Sequence, residues 1–118
     1  MQKDKVLAHF RQPKNAGDLP AATNVAEVTN PVCGDVMRLA IRVVDGRITE
    51  ARFKTQGCVA AIAAGSVSTE LLLGKTAGEA RAITPDQISG ALDGLPPASY
   101  HAAQLCADAI SAVLQGTK

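Results

Sequence analysis

The sequence predicts an α+β fold: a small three-stranded antiparallel sheet with several helices packed on one side of it. Three observations carry that expectation. Residues 37–56 alternate like a hairpin about Asp45-Gly46. Residues 59–73 are small and nearly apolar on all sides, the pattern of a buried helix. Two helix-start signatures and a Pro-Pro entry to an apolar stripe then mark further helices.

Taken in order, Val6, Leu7 and Phe10 give a short helix over residues 3–10, which Pro13 to Gly17 ends, and Asn15-Ala16-Gly17-Asp18 reads as a turn. Val25 and Val28 mark a short strand from Asn24 to Asn30. Met37, Leu39, Ile41 and Val43 alternate with Arg38, Ala40 and Arg42, so one face of this strand is buried. Asp45-Gly46 suits a tight primed turn, in which both central residues need positive φ. On the return strand, Arg47 to Gln56, Ile48 points inward but Ala51 and Phe53 fall on the opposite parity; a bulge near Thr49-Glu50 reconciles them. The buried helix runs Val59 to Leu73, with Gly74 where a left-handed residue ends it. Thr76 with Glu79 forms a capping box, and Thr84-Pro85-Asp86-Gln87 combines a cap, a proline at the first helical position and a glutamine at the third. After Leu95-Pro96-Pro97, a last helix buries Ala102, Leu105, Cys106, Ala109, Ile110 and Val113, and the tail after Leu114 frays.

At 118 residues, the chain is expected to form one domain, 1–118. It can bury roughly 65% of its unfolded surface without disulfide staples. Twelve basic against eleven acidic residues leave a formal charge of +1, so no basic excess exists to bind nucleic acid. Aromatics are only Phe10, Phe53 and Tyr100, with no Trp, which removes base-stacking platforms as well. No segment reaches the ~18 to 20 apolar residues of a membrane span. The opening Met1 to Lys5 lacks the apolar run of a secretory signal. Three widely spaced cysteines make no disulfide framework and fit a reducing, cytoplasmic setting with free or metal-bound thiols.

Chemistry concentrates at the hairpin's open end. Asn30-Pro31-Val32-Cys33-Gly34-Asp35 puts a thiol and a carboxylate around a glycine just before the outgoing strand, and Gln56-Gly57-Cys58 follows the returning one. Pairing about the turn brings these ends together, so Cys33 and Cys58 should converge. Cys58 also stands at the positive end of a helix dipole. His101 opens the last helix behind the rigid Pro-Pro entry. Cys33, Asp35, Cys58 and His101 make an S, O, S, N set, the number and type that a tetrahedral Zn²⁺ or a small iron centre takes. Each member alone has an ordinary reading: a turn aspartate, a capping histidine, a cysteine filling the core. Cys106, on the apolar stripe with nothing polar facing it, fits the core reading best. No nucleophile elbow or protease signature surrounds a cysteine, which counts against a Cys-His-Asp triad.

Asn30-Pro31-Val32-Cys33-Gly34-Asp35-Val36-Met37 resembles the Cys-Gly-Asp loop of the IscU/NifU N-terminal family of iron–sulfur cluster assembly scaffolds. The likeness continues through Ala51 to Cys58, Ala61-Ile62-Ala63, Ser68-Thr69-Glu70, Gly74-Lys75-Thr76, Leu95-Pro96-Pro97, His101 and Asp108-Ala109-Ile110. His9-Phe10 and Pro13 to Gly17 match the family's opening segment, so the resemblance spans nearly the whole chain. It implies a scaffold on which sulfur from a cysteine desulfurase and iron from a donor become a transient [2Fe–2S] cluster, passed on to apo-proteins. The ligand set it implies is Cys33, Asp35, Cys58 and His101, with Asp35 keeping the cluster labile and Cys33, Cys58 or Cys106 accepting persulfide. Purified protein could also carry Zn²⁺ on the same groups, and a homodimer could share a cluster.

Two departures stand out. The family has a third cysteine directly after the histidine, where this chain has Ala102. Cys106 lies on the same helix face but about 6 Å further along the axis. Either it substitutes from one turn deeper, or the other four donors suffice and it belongs to the core; the distance favours the second. The family's Leu-Pro-Pro-Val-Lys segment, read by an Hsp70-type chaperone, is here Leu95-Pro96-Pro97-Ala98-Ser99, without the lysine charge. Two rival roles follow from the same residues. One is a zinc-bound SufU-like sulfurtransferase, against which stand His101 and the lack of that branch's insertion. The other is a degenerate paralogue that binds the desulfurase without building clusters.

Overall fold

The computed structural model describes residues 3–31 and 34–115. Its sheet is organised by one turn. Asp45 (φ 52°) and Gly46 (φ 79°) both take the left-handed backbone that a primed turn demands. They join β2 (Val36–Val44) to β3 (Arg47–Gln56) in an antiparallel pair from Val44↔Arg47 to Val36↔Gln56. The register steps between Arg42↔Glu50 and Val43↔Ile48, leaving Thr49 as the extra residue of a bulge. That one residue lets Ile48, Ala51 and Phe53 all face inward, at 1–2% exposure. β1 (Asn24–Thr29) pairs with β2, giving the order β1-β2-β3.

Alternation then sorts the two faces. Met37, Leu39 and Ile41 are buried on one, while Arg38, Arg42 and Lys54 are exposed on the other. On the inner face, α2 (Val59–Leu72) packs against β3, and α5 (His101–Val113) lies across β1 and β2. α1 (Asp4–Arg11) packs on α2 from outside. The small residues of α2 have a purpose: a Cβ built on Gly65 would meet the Phe53 ring at 2.5 Å. The helix therefore sits as close to the sheet as a bare backbone allows.

The short helices α3 (Ala77–Arg81) and α4 (Pro85–Ala91) begin with the expected capping boxes. Thr76 and Glu79 exchange hydrogen bonds of 3.2 and 2.9 Å, and Thr84 and Gln87 do so at 3.2 and 2.8 Å. α5 buries the whole expected stripe from Ala102 to Val113. At Gly74 the outcome differs in detail. Its φ is +82°, as a helix-ending glycine requires, but α2 stops at Leu72 and Leu73 is already extended. The Gly74 N–H donates across to the Ile48 carbonyl at 2.8 Å instead of back into the helix. Of the tail expected to fray after Leu114, Gln115 still donates its N–H to the Ala112 carbonyl at 3.3 Å, and residues 116–118 lie outside the described part. Among the described residues no helix is long and apolar enough to cross a membrane.

Periodicity gives no hint of how the segment after α1 is held. Gly17 N–H donates to the Phe53 carbonyl, and Phe53 N–H to the Asn15 carbonyl, at 2.9 and 3.0 Å. The segment that reads as a turn also covers the β3 edge. His9 Nδ1 shares a 2.6 Å hydrogen bond with Ser66 Oγ, which also accepts from Lys14 N–H at 2.7 Å. Asn15 Nδ2 donates to Thr69 Oγ1 at 3.1 Å. These polar side chains of α2 fasten the N-terminal segment to the core.

Gly65→Ala tests the close helix–sheet approach. Overpacking against Phe53 should outweigh the ~1 kcal/mol gain in helix propensity, for a net loss of about 1–2 kcal/mol in urea unfolding.

Candidate metal centre

Three elements deliver the site. Gly34 takes φ +77°, with its N–H on the Asn30 carbonyl, and Asn30 N–H closes the loop on the Asp35 carbonyl, both at 2.8 Å. Asp35 leaves this loop immediately before Val36, whose partner Gln56 ends β3. The Thr55 hydroxyl donates to the Val36 carbonyl and ties this end of the hairpin. Residues 35 and 57 therefore emerge side by side.

Cys58 is the N-cap of α2 in extended backbone, and its side chain makes no capping bond. Its sulfur is free to turn outward, and the thiol donates to Asp35 Oδ2 at 3.8 Å. His101 is the first residue of α5, behind the 3₁₀ turn Pro97–Ser99. The Tyr100 hydroxyl donates to Asp86 Oδ1 of α4 and so pins the start of α5. His101 Nε2 stands 3.7 Å from Asp35 Oδ2.

Each of Asp35, Cys58 and His101 offers a ligand atom within 4.8 Å of the others. Donors around one tetrahedral metal ion, at bond lengths of 2.0–2.3 Å, lie roughly 3.3–3.8 Å apart. The set fits a metal after small side-chain movements. The Asp35 side chain is 13% exposed and His101 31%, while Cys58 lies open to solvent. A broad groove of about 690 Å³ on the outer face of the sheet, lined by Glu27, Arg38 and Lys54, reaches Val36, Thr55 and Gln56 at the same end of the hairpin. None of the three donors lines it. The donors make a centre that is reached from solvent at Cys58.

Of the four residues expected to converge, the structure brings together Asp35, Cys58 and His101; Cys33 lies outside the described residues. Cys106 is in the core, 2% exposed. It contacts a packing gap shared with Met37, Leu39, Gly65 and Ser68 that has no room for a water. Burial pushes its thiol up from 9.0 to about 12, with the Ser68 hydroxyl pulling weakly the other way. Ala102 is also fully buried. One support of the site has no signature in the sequence, the Tyr100–Asp86 bond.

The chain matches the model of the NifU-like N-terminal domain over residues 1–116. It belongs to that family. It is 48% identical over 110 residues to the iron–sulfur cluster assembly scaffold protein IscU 1 of Archaeoglobus fulgidus, covering 93% of this chain and 72% of the relative. It is 44% identical over 119 aligned positions to the scaffold protein IscU of Escherichia coli, covering 98% and 92%. The fold superposes on the N-terminal part of a NifU-like protein from Brucella abortus, with a TM-score of 0.77 at 20% identity over 96% of this chain and 91% of that one.

Burial of Cys106 has two measurable consequences. At pH 8, iodoacetamide should label Cys58 in the native protein, while peptide mapping finds Cys106 unlabelled until denaturant is added. Stability should also depend on that thiol above neutrality. The unfolded thiol loses its proton from pH 9.0, the folded one only near 12. The unfolded state therefore binds fewer protons in that window, and stability falls as pH rises through it. Cys106→Ala should flatten that part of the urea-midpoint profile.

Proposed function

We propose that this chain is an iron–sulfur cluster assembly scaffold, which receives sulfur and iron, holds a [2Fe–2S] cluster transiently and yields it to apo-proteins. The observation that carries this reading is the Asp35–Cys58–His101 group, within 4.8 Å and opening to solvent at Cys58. The family membership and the names of its relatives agree with it. Cys33, two residues before Asp35 in sequence, supplies the fourth donor in this reading.

The cluster is cargo, and the donor set suits cargo. Thiolates of Cys33 and Cys58 match the softness of iron–sulfur centres, whereas the hard carboxylate of Asp35 binds such a centre weakly. Asp35 thus sets the rate of release. Exposure lets a delivering and a receiving protein reach the same atoms. Sulfur arrives when a thiolate attacks the outer sulfur of a desulfurase persulfide; the S–S bond breaks, the desulfurase thiolate leaves, and a persulfide forms on the scaffold. Each such sulfur takes two electrons from an external reductant to become sulfide. Cys33 and Cys58 are the acceptors in this reading, because buried Cys106 lacks both access and thiolate character. The same donors hold Zn²⁺ when iron is absent. A free thiol at the surface, Cys58, suits a reducing compartment such as the cytoplasm. The Pro97-Ala98 corner is exposed, but without the family's lysine it makes a poorer target for an Hsp70-type chaperone.

Anaerobic reconstitution with a cysteine desulfurase, cysteine and ferrous iron tests this. Wild type and Cys106→Ala should develop equal visible absorbance, Cys58→Ala little, and Asp35→Ala should keep its absorbance several-fold longer in the presence of an apo-ferredoxin. Persulfide detected by mass spectrometry without iron-dependent absorbance would instead indicate a sulfurtransferase. Neither signal in wild type would indicate a chain that only binds the desulfurase.

A further inference from the structure

Two glycines flank the metal centre, and they are glycine for different reasons. Gly34 has positive φ and open space where its Cβ would be, so its need is conformational. Gly57 has no left-handed backbone, so that need does not explain it. What it lacks is room. A Cβ on Gly57 would lie 2.7 Å from Asp35 Cγ, 2.9 Å from Asp35 Oδ2 and 3.1 Å from Ala61 Cβ. The obstacle is therefore the very carboxylate oxygen that Cys58 and His101 face.

We propose that Gly57 is a positioning residue of the centre: its missing side chain leaves the space in which the Asp35 carboxylate sits between Cys58 and His101. Were a methyl group placed there, something must move. The backbone at this point is held, with Gln56 paired to Val36 on one side and α2 starting at Val59 on the other. Ala61 lies inside that helix and is fully buried. The carboxylate is the movable part, since rotation about two side-chain bonds swings it clear. The fold survives such a change, and the oxygen donor leaves the centre. Gly57 thus governs the metal site through Asp35 without touching the metal. The consequence for cargo, that Gly57 tunes how readily a cluster is released, rests on the scaffold reading; the placement of Asp35 does not.

The test uses Co²⁺ alone, whose visible bands report the ligand set, on wild type, Gly57→Ala, Asp35→Ala and the double variant. Gly57→Ala should fold, shift the ligand-field bands toward those of Asp35→Ala and keep the thiolate-to-cobalt band. Its Co²⁺ affinity should fall about tenfold, the low end of what residues orienting a ligand contribute. In the Asp35→Ala background the same substitution should change affinity by less than about twofold, because the group it displaces is already gone. If Gly57→Ala does not fold, Asp35→Ala should rescue it. An unchanged affinity and spectrum in Gly57→Ala overturns the proposal. So does an equal loss in both backgrounds, or an unfolded Gly57→Ala chain that Asp35→Ala leaves unfolded. The scaffold reading fails separately, by absence of an iron–sulfur chromophore in reconstituted wild type.

Discussion

The pairing of β2 with β3 decides where every donor at the hairpin's end can be. With the turn set at Asp45-Gly46 and one extra residue absorbed at Thr49, Asp35 must leave the sheet beside Gly57. Only Gly57 and Cys58 separate the end of β3 from the start of α2, so no slack exists to correct an error. A slip of one residue would bury Arg38 and expose Met37 and Leu39, which the apolar inner face forbids. Core packing thereby fixes the site's geometry indirectly. The force that aligns sulfur and carboxylate at the rim is the burial of Met37, Leu39, Ile41 and Phe53 at the centre.

His101 reaches the same point by another route. It rides on α5, which docks across β1 and β2, and its place along that axis depends on the prolines before it and on the Tyr100–Asp86 bond. The centre is therefore a junction between the hairpin end and a separately docked helix. A metal held by both joins two packing units, so its binding free energy adds to the stability of their contact. The N-terminal segment belongs to the same scheme at one remove. By covering the β3 edge near Phe53 and clasping Ser66 and Thr69 of α2, it steadies the elements that carry Cys58.

Much of this was legible because it is local. The primed turn, the bulge inferred from the parity of Ile48 against Ala51 and Phe53, both capping boxes and the α5 stripe each have a signature within a few residues. Register named Cys33 and Cys58 as the converging pair, since hairpin pairing converts sequence distance into spatial distance; Cys33 lies outside the described residues, and the residue of that loop seen beside Cys58 is Asp35. His101 joined the set from its place in the chain and through the family resemblance, since periodicity says nothing about how α5 is docked. The illegible parts are single long-range pairings with no repeat. Ser66, read as one small residue in an apolar helix, accepts from Lys14 N–H and shares a hydrogen bond with His9, both more than fifty positions away. Asn15 to Gly17 looked like a turn because its glycine and asparagine suit one, and they do; nothing local says that the turn lies along an edge strand. Gly57 was invisible for the opposite reason, because its contribution is an absence of atoms.

The alanine at position 102 gives the donor set its character. In the proposed site the charges are two thiolates and one carboxylate, with a neutral imidazole, around a core of charge +2. The assembly carries net −1, where an additional thiolate in place of imidazole would make it −2. Fewer soft anionic donors mean weaker retention by the protein and a less negative cluster, and net charge is one of the levers on a cluster's potential and stability. Cys106 does not offset this, since moving its sulfur outward by a helical turn would open the packing around Met37 and Leu39 and expose apolar surface to do it. Neighbouring turns of one helix thus meet two different demands. His101 stands near the surface, where a donor is reachable, and Cys106 lies below it, where a thiol serves as a small apolar group. Their separation along α5 marks the boundary between the part of the molecule that exchanges cargo and the part that must not move.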